Sequence, residues 1–426
     1  MQIVKYPNRE DWPELLQRPV LEQLSLEKKV KKVLEKVKSG GDKELKKFTK
    51  EFDGVKLKKL LVSEKEINDA EQQVSDDLKK AIHTAADNIS AFHALQLQQE
   101  QAIETMPGVK CWRRSVAIEK AGLYIPGGTA PLFSTVLMLG IPAKLAGCKE
   151  IILCTPPQKD GSINPVVLYA AQSAGITKIF KAGGAQAIAA MAYGTETIPR
   201  VYKIFGPGNQ YVTCAKQIIQ SEGIAIDIPA GPSEVCVLAD ETANASFVAA
   251  DLLSQAEHGA DSQVLLVSTS EEMINNVQKE IEQQLEVLQR KEFASKALDN
   301  SKAILVNSID DAIDLVNEYA AEHLIISCAN DEAIAEKIIN AGSVFLGNYS
   351  PESVGDYASG TNHTLPTNGY ARSYSGVSVD SFVKKITYQK LSEEGLKNIG
   401  ETVETMAKAE GLEAHANAVT VRLNSF

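Results

Sequence analysis

The sequence lacks several common marks of known chemistry. No G-x-G-x-x-G follows a strand-like run, so a standard dinucleotide fingerprint is absent. There is no C-x-x-C pair. The six cysteines, Cys111, Cys148, Cys154, Cys214, Cys236 and Cys328, are scattered and are expected to be reduced core thiols, not a disulfide frame. No apolar run approaches the ~20 residues of a membrane helix. The N-terminus, MQIVKYPNREDWPELL, has no apolar core of a secretory signal, so the expected location is the cytoplasm. Basic excess is missing too. Lys plus Arg number 44 against 55 Asp plus Glu, a net charge of −11. That excludes the basic surface of a non-specific nucleic-acid binder or of a peripheral binder of anionic membranes. Histidine is scarce, with His83, His93, His258, His323, His363 and His415 as the full set.

The 426 residues are 44% hydrophobic and 23% charged, ordinary for a folded chain. This length suggests two or three domains and a large core without metal or disulfide staples. Residues 1–100 read as helical. Val30, Val33, Leu34 and Val37 form one stripe among solvated lysines, and Gly40-Gly41 stops that helix. Ser63 and Glu66 have the spacing of a capping box. Leu78, Ile82, Ile89 and Phe92 mark a long helix, on which His83 and His93 are expected to be structural or surface histidines. From about residue 115 short β-rich runs alternate with glycine turns and Ala-rich helices: AGLYIPGG, KEIILCTPP, KIFKAGG, VYKIFGPGN and PSEVCVLAD, then VLLVS, AILVNS, HLIIS and SVFLG. Such alternation means βαβ units and parallel sheets covered on both faces. The stretch 347–376 has no periodicity and is too long for an idle loop. The last 40 or so residues read as a small helical unit.

Several groups could carry chemistry. Pro126-Gly127-Gly128, Gly183-Gly184 and Gly206-Pro207-Gly208-Asn209 each follow a strand and open a helix, where backbone N–H groups can hold phosphate. Tight turns alone would explain any one of them. Gln255 and His258, three apart near a helix end, share a face and can point at one metal; a surface histidine after a helix end explains them equally well. Glu322-His323 precedes the apolar strand LIIS, a common acid–base arrangement; a histidine satisfying the last carbonyls of a helix is the alternative. Asp356 and His363 lie in the irregular stretch, and His415 near Glu410 and Glu413. Asp, His, His and Gln would make a zinc-type N/O set, but no short motif links them. A thiolate such as Cys111 or Cys148 could serve aldehyde oxidation. No cysteine adjoins a histidine, however, and packing accounts for them.

Nine strings carry a resemblance: AGLYIPGGTAPLFSTVLM, AGGAQAIAAMAYGT, KIFGPGNQYV, DIPAGPSEV, DLLSQAEHG, EYAAEHL, GSVFLG, GDYASGTNHTLPT and EGLEAHANAV. In this order, from about residue 115 onward, the chain resembles the histidinol dehydrogenases. The resemblance implies two incomplete Rossmann-like parallel-sheet domains with two small, mainly helical terminal ones. It suggests boundaries at 1–24, 25–123 with 234–376, 124–233, and 377–426. It implies NAD-dependent oxidation of L-histidinol through bound L-histidinaldehyde to L-histidine, with one zinc ion per subunit of a homodimer. By motif, Gln255, His258, Asp356 and His415 match the zinc ligands, the last contributed across subunits. Glu322 and His323 match the acid–base pair. Ser233, His363 and Glu410 match substrate contacts, with Glu410 also reaching across, and Gln255, His258, Glu322, His323, Asp356 and His415 border the substrate. Tyr124, Gln186 and Asn209 match the NAD contacts. The chemistry is consistent, since histidinol offers an imidazole and an amine as zinc ligands. The rival readings are a zinc hydrolase with Glu322 as base, a non-catalytic metabolite binder on the same fold, and a dehydrogenase of another amino alcohol.

Overall fold

The computed structural model describes residues 1–18, 23–97, 100–127, 131–176, 178–229 and 231–426; Gly128 of the first glycine turn lies outside them. Two parallel sheets organise the chain, as the alternating pattern requires. Among the described residues the first sheet has six strands, ordered Gln2–Lys5, Lys302–Leu305, Gln263–Ser268, Glu234–Ala239, His323–Ser327 and Ser343–Leu346. All are parallel. Its central strands are buried at every position, which explains why they read as continuous apolar runs and not as alternating ones. Val248 and Leu252 of the Ala245–Ala256 helix and Ile274 and Val277 of the Glu271–Val287 helix cover one face. Leu315 and Val316 of the Ile309–Tyr319 helix, with Trp12, cover the other.

The second sheet has five described strands, ordered Lys178–Lys181, Glu150–Thr155, Lys120–Tyr124, Lys203–Phe205 and Ala225–Ile226. They are parallel as well. The strand order reverses between Lys120–Tyr124 and Lys203–Phe205, which opens a crevice at their carboxyl ends. Gly206 closes that crevice. It has φ +123°, and a Cβ there would come 2.0 Å from the Tyr124 carbonyl oxygen, so only glycine lets the two strands end so close together.

Three segments fall elsewhere than their local pattern suggests. The first residues are not all helical: Gln2–Lys5 adds an edge strand to the first sheet by pairing with Lys302–Leu305. The helices Gln23–Phe48, Glu64–Glu71 and Asp76–Ala94, grouped above with the first sheet, bury their stripes against the second. Leu34, Val37 and Leu45 pack with Ile188 and Ile204, and Ile82 and Ile89 with Leu123 and Leu153. The C-terminal unit is not only helical. Val383–Leu391 pairs antiparallel with Val109–Ala117, which pairs with Ala102–Met106. Trp112 stacks on Tyr388 across this small sheet, with ring centroids 5.3 Å apart, the kind of cross-strand pair that fixes register. The helices Glu393–Ala409 and Glu413–Leu423 pack beside it. All six cysteines are free. Burial pushes the thiols of Cys148 and Cys328 up, to about 11 and about 12, which suits packing and not nucleophilic work.

Candidate active site

Glu322 and His323 stand at the amino edge of the first sheet. Glu322 is the residue before the His323–Ser327 strand, and His323 lies opposite Val235 in register. That register brings Glu322 beside Glu234. The Glu234 N–H donates to Glu322 Oε2 at 2.9 Å, and the Glu234 carbonyl oxygen lies 3.2 Å from His323 Nδ1. One backbone residue therefore orients both groups. Glu234 is anchored in turn. Arg18 Nε and Nη2 donate to its carboxylate at 2.6 and 2.9 Å, and the Asn368 N–H donates at 2.7 Å. Arg18 also lies over the Tyr319 ring, 4.2 Å from its centroid.

Around His323 the structure gathers three groups from two other segments. Gln255 is in the last turn of the Ala245–Ala256 helix, with its Nε2 3.0 Å from His323 Nδ1. His323 Nε2 lies 3.2 Å from Asp356 Oδ1. Asp356 is not in structureless chain: it belongs to a short helix, Glu352–Tyr357. Glu352, at the start of that helix, accepts from Gln255 Nε2 at 3.2 Å. His258 lies beyond the helix end and not on its face; its N–H closes a turn on the Gln255 carbonyl at 3.2 Å. It is near enough to Asp356 to favour that carboxylate's charge.

The electrostatics follow from this crowding. Burial works against a charge on His323, but Glu322, Asp356 and Glu352 outweigh it and raise its proton affinity well above the ordinary value. Burial, helped by the charges of Asp356 and Asp251 and opposed by His323 and Ser254, pushes the Glu352 carboxyl up to about 8. For Asp356 burial acts upward, and the hydrogen bond to His323 and the nearby histidines overcome it, leaving the carboxyl below its usual range. An acidic, desolvated cluster around a histidine is the setting in which acid–base groups are found.

His363 ties this edge to the second sheet. Its Nδ1 lies 2.7 Å from the Asp356 carbonyl oxygen and its Nε2 2.9 Å from Thr135 Oγ1. Thr135 opens the Phe133–Leu145 helix, which starts from the carboxyl edge of the second sheet. Burial holds His363 below its ordinary value. Ser233 precedes the Glu234–Ala239 strand, next in sequence to the Glu234 N–H that holds Glu322. The structure does not bring Glu410 and His415 to this place within one chain. Both are exposed on the C-terminal helical unit.

Tyr124, Gln186 and Asn209 line one cavity of about 640 Å³ at the second sheet's crevice, a volume within the range of cofactor sites. Tyr124 is buried, and its hydroxyl accepts from the Gly184 N–H at 3.0 Å. Gln186 is buried at the start of the Gly184–Tyr193 helix. Asn209 caps the Gln210–Ser221 helix, accepting from the N–H groups of Tyr211 and Val212. Lys29, Lys32 and Lys36 form the opposite wall, on the helix side that the lysine-rich pattern marks as solvated.

Among the described residues, no three His, Cys, Asp or Glu side chains are gathered to hold a metal. The fit to zinc rests on a different atom. Gln255 Oε1 is buried and has no hydrogen-bond partner. Such an orphan acceptor is costly unless something fills its place. A carbonyl oxygen with Asp356 and His258 nearby is a suitable hard and borderline donor set.

Glu234, Arg18, Glu352 and Thr135 were not singled out from the sequence. A glutamate opening the otherwise apolar run EVCVLA was the available signal for Glu234. Glu352 and Arg18 had none, because their partners lie 97 and 216 residues away. His83 and His93 are structural, as expected. His83 Nε2 lies 2.9 Å from the Tyr169 hydroxyl, and buried His93 lies between Gln96 and Asn362.

Comparison with known proteins gives the family. The family model described as histidinol dehydrogenase matches residues 16–423. The chain is 60% identical over 426 residues to a histidinol dehydrogenase of Bacteroides thetaiotaomicron, covering 100% of both. It is 54% identical over 415 residues to the chloroplastic histidinol dehydrogenase of Arabidopsis thaliana, covering 97% of this chain and 89% of that one. The crystal structure of histidinol dehydrogenase from Elizabethkingia anophelis superposes with a TM-score of 0.98 at 58% identity, over 100% of this chain and 98% of that one. The chain belongs to the histidinol dehydrogenase family, oxidoreductases of histidine biosynthesis.

Proposed function

We propose that this chain carries out the four-electron oxidation of L-histidinol to L-histidine, through L-histidinaldehyde that stays bound, with NAD and zinc as cofactors. The observation that carries the reading is the Glu322–His323 pair, oriented by the Glu234 backbone next to the orphaned Gln255 carbonyl. When bound, zinc would hold the substrate's imidazole and amine, and NAD would take the hydride in each half-reaction. Gln255, His258 and Asp356 of one subunit would hold the metal, with His415 of a second copy. Ser233, His363 and Glu410 would orient the substrate. Tyr124, Gln186 and Asn209 would border the nicotinamide cofactor.

His323 receives the hydroxyl proton. The neighbouring carboxylates that raise its proton affinity also stabilise the imidazolium that forms. Glu322 has Oε2 engaged by the Glu234 N–H, so Oε1 is the atom that takes a proton from water as it adds to the aldehyde. Once the imidazolium has released its first proton to solvent, neutral His323 accepts the proton of the second oxidation. No thiolate is needed, in keeping with the raised cysteine values. The cytoplasm is the compartment proposed, and no described helix is long and apolar enough to cross a membrane.

The test is spectrophotometric. With L-histidinol and NAD the enzyme is expected to form two NADH per histidinol, to lose that activity on chelation and to regain it with zinc. Absence of NADH would overturn the reading in favour of a hydrolase or a binding protein. The cross-subunit part has its own test. Mixing inactive His415→Ala and inactive His323→Asn proteins, after dissociation and reassociation, should restore some activity, because half of the hybrid sites carry neither substitution. No recovery would place His415 in its own subunit's site.

A further inference from the structure

We propose that Glu352 is a positioning residue that decides which end of the Gln255 amide is offered to the metal. The inference rests on the reading above that Gln255 is a metal ligand. An amide can be rotated by half a turn with little change of shape, so its neighbours must choose its orientation. Gln255 is buried, and solvent does not choose. Glu352 does. It is itself 1% exposed, and its Oε2 lies 3.2 Å from Gln255 Nε2. Half a turn would set Oε1 of the amide against Oε2 of the carboxyl, two acceptors at hydrogen-bond distance. With Oε2 unprotonated the nitrogen end faces Glu352, and its 3.0 Å approach to an unprotonated His323 Nδ1 runs the same way, which leaves Oε1 pointing away as the buried atom without a partner.

Oε2 can accept from Gln255 whether or not Glu352 carries a proton on Oε1. Ser254 Oγ lies 2.6 Å from Glu352 Oε1 and 2.8 Å from the Asp251 carbonyl oxygen. A protonated carboxyl can donate from Oε1 to Ser254, whose own hydroxyl then donates to Asp251. An ionised one accepts from Ser254. In both cases Oε2 is the acceptor for Gln255. Groups that orient metal ligands in this way commonly change metal affinity by ~10–100-fold when removed.

The test compares the metal affinity of full-length variants, with Zn²⁺ alone as probe and a competing chelator dye as readout. Glu352→Leu should weaken Zn²⁺ binding by ~10–100-fold and shift the visible bands of the Co²⁺-loaded protein. Glu352→Gln keeps an acceptor oxygen for Gln255 and an amide for Ser254, so it should bind within about threefold of the wild type. Ser254→Ala, which leaves the fold undisturbed and frees the carboxyl to turn, should weaken binding several-fold; it decides the matter if the Leu variant does not fold. Wild-type affinity in both the Leu and the Ala variants would overturn the proposal while leaving the metal reading intact. Equal loss in the Gln and Leu variants would also overturn it, by showing that charge and not orientation matters. A wild type that binds no Zn²⁺ would overturn the metal reading and this proposal with it.

Discussion

His323→Asn is expected to lower kcat by ~10²–10⁴-fold, the usual weight of a positioned acid–base group, while the protein keeps its zinc. Asparagine fits the volume and can still face the Glu234 carbonyl and the Gln255 amide. It cannot hold a proton between them. The three carboxylates that now favour the charged ring, Glu322, Asp356 and Glu352, would have no cation to stabilise. Metal content should be unaffected, because His323 is not among the donors assigned to it. KM for histidinol should change far less than kcat, since the loss falls on the transition state and not on binding. Zinc analysis and steady-state kinetics check both halves. An unchanged kcat would remove His323 from the proton path.

How much of this site was visible in the sequence depends on how far each partner lies along the chain. The two parallel sheets were legible because burial on both faces leaves continuous runs such as VCVLA and HLIIS, and glycine turns separate them. The Ser63–Glu66 capping box was legible because it is local, and both of its reciprocal contacts are present. By contrast, Gln2–Lys5 is only four residues long, and its strand character comes from the Lys302–Leu305 edge it joins. The pairing of Val109–Ala117 with Val383–Leu391 spans most of the chain and buries little, so neither segment announces a strand. The same rule separates the site residues. Glu322 and His323 stand together before an apolar strand and could be suspected directly. Their orientation by Glu234, and the anchoring of Glu234 by Arg18, follow only from register and packing. The direction of the sheet edge was also out of reach. The glycine turns suggest ligands at carboxyl ends, and the second sheet's cavity is there. Glu322 and His323 sit at the amino edge of the first sheet, so the candidate site joins opposite edges of two sheets through His363 and Thr135.

Glu322→Gln should separate the two oxidations. With histidinaldehyde as substrate the rate is expected to fall by ~10²-fold or more, as for loss of a general base. With histidinol the first NADH should form with less than about a tenfold loss, because proton removal there falls to His323. The geometry favours a clean comparison. The amide oxygen of glutamine can still accept the Glu234 N–H now held by Glu322 Oε2 at 2.9 Å, so the loop into the His323–Ser327 strand keeps its anchor. What disappears is basicity at the second oxygen and one negative charge 3.6 Å from His323 Nδ1. The lost charge lowers the proton affinity of His323 and accounts for the smaller effect on the first step. Single-turnover measurement of each NADH resolves the two. Equal slowing with both substrates would mean that Glu322 acts only through the charge of His323, and the water-activating role would then have to pass to another group.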